Sequence, residues 1–123
     1  MFTSYFAKVK YLKENGLIPI AICAKIPEWY SGLHYKELAP KYECFMEWKR
    51  SHNNNEFTER YKEEVLFKLD SVKVILQLQE LAGTTDISRI VLICYEKSTD
   101  FCHRHIVSQW LQQHGISCEE WYL

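Results

Sequence analysis

An apolar run in the last third of the chain constrains the fold more than any other feature. The five residues IVLIC at 90–94 contain no charged side chain, which is typical of a central strand buried on both faces of a parallel sheet. A polar segment follows at 96–100, and a segment with helical periodicity begins near Cys102. A strand, a short polar loop and a helix start form the layout in which α/β proteins bind ligands. The sequence therefore predicts where a site lies, but it does not identify a reaction.

Further strands and helices alternate along the chain. We expect strands at 1–4, 17–23, 88–95 and 116–122, and helices at 5–15, 40–50, 56–69, 70–82 and from Thr99 or Asp100, its predicted cap, to 113. Asp70 and Ser71 are the predicted cap of the helix at 70–82, and Gly83 its predicted end. This alternation predicts a single α/β domain over residues 1–123. Its small, mostly parallel sheet is flanked by helices in a Rossmann-like arrangement, with right-handed crossovers. Pro19 within the second predicted strand indicates a sheet edge or a strand start.

Length, charge and cysteine count exclude several classes of protein. The chain has 123 residues and a net charge of −1, so no global basic field is present to hold a nucleic-acid backbone, although a local basic patch is compatible with it. Five cysteines without regular spacing argue against a secreted disulfide framework. Lysines at 8, 10 and 13 stand where a signal peptide needs an apolar core. We expect a cytoplasmic protein with reduced thiols and no membrane association.

Several side chains that can do chemistry lie around the start of the last predicted helix. Cys102 would sit in its first turn, where free N–H groups and the helix dipole favour a thiolate, so it is a candidate nucleophile or redox-sensitive thiol. The alternative is a buried structural cysteine. His103 shares a helix face with apolar residues and points toward the sheet. It is a candidate general base, or a ring satisfied by a main-chain carbonyl.

Two charged residues complete this candidate site. Arg104 offers a bidentate guanidinium for a phosphate close to the helix start. The alternative is that it pairs with Glu96 or Asp100 and fixes the loop. Glu96 follows the strand end, where catalytic acids often lie in α/β folds, or it is a solvated loop carboxylate. Cys94, inside the apolar run, is expected to belong to the core.

The spacing of the potential metal ligands argues against a metal site. Cys94, Cys102, His103 and His105 are zinc-type ligands, but no Cys-x-x-Cys pair is present and the intervals match no structural zinc pattern. His103 and His105 are two residues apart on a helix and point in different directions. We therefore predict no metal ligand and no cofactor.

The chain also contains a Cys-x5-Arg interval that does not indicate a phosphatase site. Cys44 and Arg50 have the Cys-x5-Arg interval of cysteine phosphatases. That chemistry needs a loop of small residues whose amides wrap a phosphate. The five intervening residues, FMEWK, are bulky and helix-forming, so we reject this site.

The strand end and helix start together resemble a known family. Cys94-Tyr95-Glu96 followed by Cys102-His103-Arg104 is similar to the Cys-x-Glu and Cys-His-Arg motifs of the domain-of-unknown-function 488 family. Thr3-Ser4-Tyr5-Phe6 resembles the family's N-terminal strand end, Pro27 its proline after the second strand, and the loop through Tyr35, Leu38 and Pro40 a shorter subgroup. The resemblance covers essentially the whole chain and implies an α/β fold.

The resemblance also implies a site, with one departure. The implied site residues are Ser4, Cys94, Glu96, Cys102, His103 and Arg104, with Thr3, Tyr5 and Lys25 as further ligand-binding candidates. Many members carry Asp-Val-Arg at the end of the second strand, where this chain has Ile22-Cys23-Ala24-Lys25. The acid and the arginine are missing, and Lys25 replaces only part of the positive charge. The family's name implies no established reaction.

Three hypotheses about function follow. The first is an enzyme that acts on a phosphate-bearing ligand, a nucleotide or nucleic-acid component. Arg104 and the helix start would hold the anion, Glu96 and His103 would carry protons, and Ser4 or Cys102 would assist. The second is a non-catalytic binding module that uses the aromatic loop 27–40, with Cys-His-Arg as a structural lock. The third is a thiol redox protein that uses Cys94 and Cys102, for which the usual Cys-x-x-Cys signature is missing.

Overall fold

The computed structural model describes residues 1–122 and consists of a five-stranded parallel sheet with helices on both faces. The strands are β1 Phe2–Tyr5, β2 Ile18–Ala21, β3 Leu33–His34, β4 Ile90–Cys94 and β5 Glu119–Glu120. Their spatial order is β3-β2-β4-β1-β5, and each neighbouring pair is parallel. The predicted α/β fold with a small parallel sheet is confirmed.

The helices differ from their predicted bounds mainly at their ends. They are α1 Val9–Glu14, α2 Tyr42–Ser51, α3 Asn54–Glu64, α4 Ser71–Ala82 and α5 His103–Gln113. The predicted helix at 5–15 begins with a 3-10 turn at Phe6–Lys8, and the one at 56–69 ends in a 3-10 turn at Leu66–Lys68. Among residues 1–122, no helix combines the length and the apolar character needed to cross a bilayer.

The boundaries of α4 follow the predicted capping chemistry. The Asp70 carboxylate accepts a hydrogen bond from the Val72 N–H at 2.9 Å, so one of the free donors of the first turn is satisfied. Gly83 has a φ of 70°, a left-handed conformation that costs glycine little and that closes the last turn. Both residues were identified from sequence as the ends of this helix.

The edge of the sheet at β3 explains the tolerated proline in β2. The Ile22 N–H donates to the Ile93 carbonyl of β4 at 3.0 Å. Successive residues of a strand direct their main-chain nitrogens to opposite sides, so the nitrogen of Pro19, three residues earlier, points away from β4 and toward β3. β3 pairs only with Ile20 and Ala21. The missing N–H of Pro19 therefore removes no ladder hydrogen bond. β3 itself was not predicted, since its two residues lie within an irregular segment.

Apolar side chains cover the sheet on both faces. Ile20, Ile22, Ile90 and Leu92 belong to one core cluster, which also contains Val74, Leu78, Val107 and Leu111 from α4 and α5. Ala21, Val91 and Ile93 belong to a second cluster with Phe6, Val9 and Leu12 around α1. All five residues of β4 are buried. Burial on both faces is the physical reason for the unbroken apolar run.

Candidate functional site

The candidate site lies where β4 ends and α5 begins. β4 ends at Cys94, residues 95–102 form a loop, and α5 begins at His103. Cys102 occupies the N-cap position with an extended backbone, and its side chain makes no capping hydrogen bond. The prediction that Thr99 or Asp100 caps this helix is wrong, because the loop runs two residues further before the backbone becomes helical.

Arg104 is the most buried charged side chain of this site. Its exposed fraction is 0%, and its guanidinium forms a bidentate pair with the Glu120 carboxylate, with N–O distances of 3.2 and 3.0 Å. A terminal nitrogen also donates to the main-chain carbonyl of Glu96 at 2.7 Å and lies 3.6 Å from the Cys94 sulfur. The ring of Tyr5 lies 5.8 Å from the guanidinium carbon, within the range of a cation–π contact. Arg104 therefore ties β4, the loop and β5 to α5.

The carboxylate partner of Arg104 is Glu120, which the sequence did not identify. We expected Glu96 or Asp100 in that role, but Glu96 contributes its carbonyl and the carboxylate comes from the end of the chain. Thr3 donates to Glu120 at 2.6 Å. Burial raises the pKa of the Glu120 carboxyl, but hydrogen bonds from Arg104, Thr3 and Ser98 outweigh it and hold the pKa below its usual value.

His103 faces the sheet as expected. Its Nε2 lies 2.9 Å from the Ile22 carbonyl oxygen, so Nε2 carries the proton and donates. Burial lowers the pKa of His103 to about 4, so the ring is neutral at pH 7. The ring is thus bonded to a main-chain carbonyl through Nε2, and its role as a general base stays a prediction. The second nitrogen, Nδ1, keeps a free lone pair 3.9 Å from the Cys102 sulfur.

Two of the five cysteines come together at this position. The sulfur atoms of Cys94 and Cys102 are in direct contact as a disulfide, with their Cα atoms 7.7 Å apart. This pairing differs from the predicted set of five reduced thiols. Cys23, Cys44 and Cys118 are free and buried, and burial raises the pKa of each thiol, to about 11 for Cys23. Cys94 and Cys102 differ from these three in their surroundings, because the Arg104 guanidinium lies beside the Cys94 sulfur and the His103 imidazole beside the Cys102 sulfur.

The N-terminal strand contributes Thr3 and Tyr5 rather than Ser4. Thr3 contacts Glu120 and Tyr5 contacts Arg104. Ser4 lies between them in β1 and pairs in register with Ile93, so alternation directs it to the face that packs against α1. Its hydroxyl oxygen is buried without a hydrogen-bond partner. The structure does not bring Ser4 to the side of the sheet where Arg104 lies.

Lys25 and Glu96 lie in the loops that follow neighbouring strands. The Tyr95 hydroxyl donates to the Lys25 carbonyl at 2.5 Å, so the two loops are joined at the carboxyl edge of the sheet. The Lys25 side chain is exposed and Glu96 is half-buried. Both residues are thus at the predicted edge, and their side chains are partly or fully free to meet a ligand.

The central side chains of the candidate site are shielded from solvent. Cys94, Cys102, His103 and Arg104 are each at most 8% exposed. Two surface depressions lie elsewhere: one between α2 and α3 beside Trp48 and Phe57, and one beside Tyr35 and Gln77. A ligand would therefore reach the two sulfurs and the imidazole only after neighbouring residues moved.

Comparison with known proteins identifies the family. The family model described as the active DUF488-N3 subclade matches residues 9–115. This chain belongs to that domain-of-unknown-function 488 family, as the resemblance of its motifs indicated. The matched range contains Cys94 to Arg104 but neither β1 nor Glu120. No curated protein and no solved structure matches the chain.

Proposed function

We propose that this DUF488 protein is an enzyme that acts on a phosphate-bearing ligand, a nucleotide or a nucleic-acid component, at the carboxyl edge of its sheet. One observation carries the proposal: a sulfur pair, a neutral imidazole and a guanidinium converge between β4 and α5. That is the place where open α/β sheets bind ligands. The description of the matched subclade as active accords with it.

Cys102 and His103 are the proposed reacting groups. The Nε2–H of His103 is committed to the Ile22 carbonyl, so Nδ1 is an acceptor directed at the Cys102 sulfur 3.9 Å away. In the reduced protein this imidazole is able to take the Cys102 thiol proton, which would leave the sulfur as a nucleophile. Glu96, half-buried at the end of β4, is the remaining candidate for proton transfer to the ligand.

The phosphate would have to compete with Glu120 for Arg104. A phosphate presents oxygens to a guanidinium in the same bidentate geometry as a carboxylate. β5 contains two residues and pairs only with β1 at the sheet edge. Displacement of Glu120 would therefore leave the central strands paired. Lys25, exposed on the loop joined to Tyr95, would add positive charge beside the entering anion.

A cytoplasmic location is part of the proposal. A reducing compartment keeps Cys94 and Cys102 as thiols, and the chemistry above needs the Cys102 thiol. The three other cysteines are buried and unpaired, which accords with a protein that does not depend on a disulfide framework.

The alternative function is a non-catalytic binding module in which Cys-His-Arg is a structural lock. The pair of Arg104 and Glu120, with side chains 0% and 8% exposed, favours the lock. The aromatic loop offers a smaller contact surface than its composition suggests. Trp29 is 63% exposed, whereas Tyr30 and Tyr35 are 4% and 6% exposed. Their hydroxyls are bonded internally to Leu33 and Gln77.

An assay for product formation distinguishes the proposed enzyme from the non-catalytic binding module. Reduced wild type, Cys102→Ser and the control Cys118→Ser would be incubated with AMP, ATP, ribose 5-phosphate and a short single-stranded oligonucleotide, and the ligands analysed by mass spectrometry. The proposed enzyme converts one of these classes in wild type and Cys118→Ser but not in Cys102→Ser. Equal conversion by Cys102→Ser would contradict the proposed role of the thiol. Binding through Trp29 with no conversion would favour the binding module.

A further inference from the structure

We propose that Cys94, Cys102 and His103 form, in the reduced protein, a binding site for a thiophilic divalent metal ion such as Zn²⁺. One ligand atom from each of the three residues lies within 4.8 Å of the others, and all three residues are buried. All three residues are zinc-type ligands whose intervals match no structural zinc pattern, so the prediction of no metal ligand rested on spacing alone. The fold assembles the ligands by placing a strand end beside a helix start. This inference does not rest on the proposed enzyme activity, and a bound ion would occupy the Cys102 sulfur and the His103 Nδ1 that the activity needs free.

The spacing of the ligands suits a metal ion. The Cα atoms of Cys94 and Cys102 are 7.7 Å apart, more than the roughly 4.4–6.8 Å that a disulfide usually bridges. Zinc–sulfur bonds of about 2.3 Å in a tetrahedral site hold two sulfurs about 3.8 Å apart, a wider pair than a disulfide. The distance of 3.9 Å from the Cys102 sulfur to His103 Nδ1 is close to the roughly 3.6 Å between a thiolate and an imidazole on one zinc ion.

The second nitrogen of His103 is arranged as in metal sites. Metal-ligating histidines commonly donate their other ring N–H to a carbonyl or carboxylate, which fixes the tautomer and the ring orientation. His103 Nε2 donates to the Ile22 carbonyl at 2.9 Å. Nδ1 is left unprotonated 3.9 Å from the Cys102 sulfur, so its lone pair is available to a metal ion held by the two thiolates.

The charges around the group balance once a divalent ion is bound. Two thiolates neutralise the ion, and the Arg104–Glu120 pair is neutral by itself, so no net charge is buried. A guanidinium nitrogen 3.6 Å from the Cys94 sulfur is placed to donate to a thiolate. Within residues 1–122 the group contains three ligands. Structural zinc sites have four, whereas catalytic ones keep a position for water or substrate.

Metal binding and disulfide formation exclude one another. On binding, each S–H bond breaks, a sulfur–metal bond forms, and the two protons pass to solvent. On oxidation, a sulfur–sulfur bond forms instead, and two electrons and two protons pass to an oxidant such as a small-molecule disulfide. A phosphine reductant restores the two thiols and with them the metal site.

Cobalt provides a direct test. Reduced, metal-free wild type would be titrated anaerobically with Co²⁺, and the absorption spectrum recorded. We expect saturation at one ion per chain, with a thiolate-to-cobalt charge-transfer band and the intense visible bands of tetrahedral Co²⁺. Cys94→Ser and Cys102→Ser should each lose the charge-transfer intensity or weaken binding at least tenfold. Cys118→Ser is the matched control, because Cys118 is buried, free and outside the group.

Two outcomes of the cobalt titration would overturn the proposal. One is the lack of a charge-transfer band in reduced wild type. The other is a band that persists in both Cys94→Ser and Cys102→Ser. If either variant fails to fold by circular dichroism, the wild type still decides: Zn²⁺ should displace two protons per ion in unbuffered solution, and Zn²⁺ should not bind after oxidation of the pair. Binding without proton release, or unchanged by oxidation, contradicts the site.

Discussion

Glu120→Gln should destabilise the fold severely for a single substitution near the end of the chain. The Arg104 side chain is 0% exposed and that of Glu120 is 8% exposed, and two hydrogen bonds join them. Removing one partner of a buried ion pair costs about 3–5 kcal/mol, because the remaining charge is left uncompensated. Glutamine keeps an oxygen that accepts from Thr3 or Arg104, so we expect a loss of about 3 kcal/mol, at the low end of that range.

Urea unfolding measures this loss directly. The midpoint should fall with an unchanged m-value, since the surface exposed on unfolding stays the same. Glu119→Gln is the matched control: Glu119 is the exposed neighbour in β5, and an exposed substitution changes stability by about 0.5 kcal/mol or less. A value for Glu120→Gln as small as that of the control would refute the reasoning, because Arg104 would then be stable in the core without a carboxylate.

Three further predictions test other parts of the structure. The pKa of Glu120 is lower in the folded protein than its unfolded value of about 4.3, so the ionised carboxylate stabilises the fold above that value. This stabilisation is lost as pH falls through the folded pKa. The difference in unfolding free energy between wild type and Glu120→Gln should therefore narrow in acid. Asp70→Ala should lower the unfolding free energy by about 1 kcal/mol through loss of the α4 cap, whereas Asp100→Ala, which caps no helix, should change it by less than half as much; equal losses in urea titrations would contradict the assigned caps. Tyr61→Phe should cost about 1–3 kcal/mol, because the buried Leu38 carbonyl loses its donor 2.5 Å away, and a thermal midpoint equal to that of wild type would show that another donor satisfies that carbonyl.

Structural features that depend on a residue and its near neighbours in the chain were predictable from sequence. The apolar run at 90–94 identified the central strand because burial on both faces removes any alternation. Asp70 and Gly83 marked the ends of α4 because capping depends on the residue itself and on its immediate backbone. The strand end and helix start around the candidate site were likewise predictable, because they follow one another in the chain. That a ligand binds there stays a prediction.

Features that depend on distant pairing were not predictable. Glu120 is 16 residues from Arg104, and nothing in the sequence distinguishes it from Glu119 until the register of β5 against β1 is known. The same holds for Ser4: the motif suggested a site residue, whereas alternation along β1 directs it to the other face. The contact between Cys94 and Cys102 likewise depends on how the loop 95–101 folds.

The thermal stability of wild type and Arg104→Lys in the presence of phosphate-bearing ligands tests the central claim most directly. Lysine keeps the charge but lacks the bidentate geometry. If Arg104 serves an active site, a nucleotide, a sugar phosphate or a short oligonucleotide should raise the melting temperature of reduced wild type and leave that of Arg104→Lys unchanged. If Arg104→Lys is simply less stable and no ligand shifts either protein, the Cys-His-Arg group is a structural lock and the proposed function is contradicted.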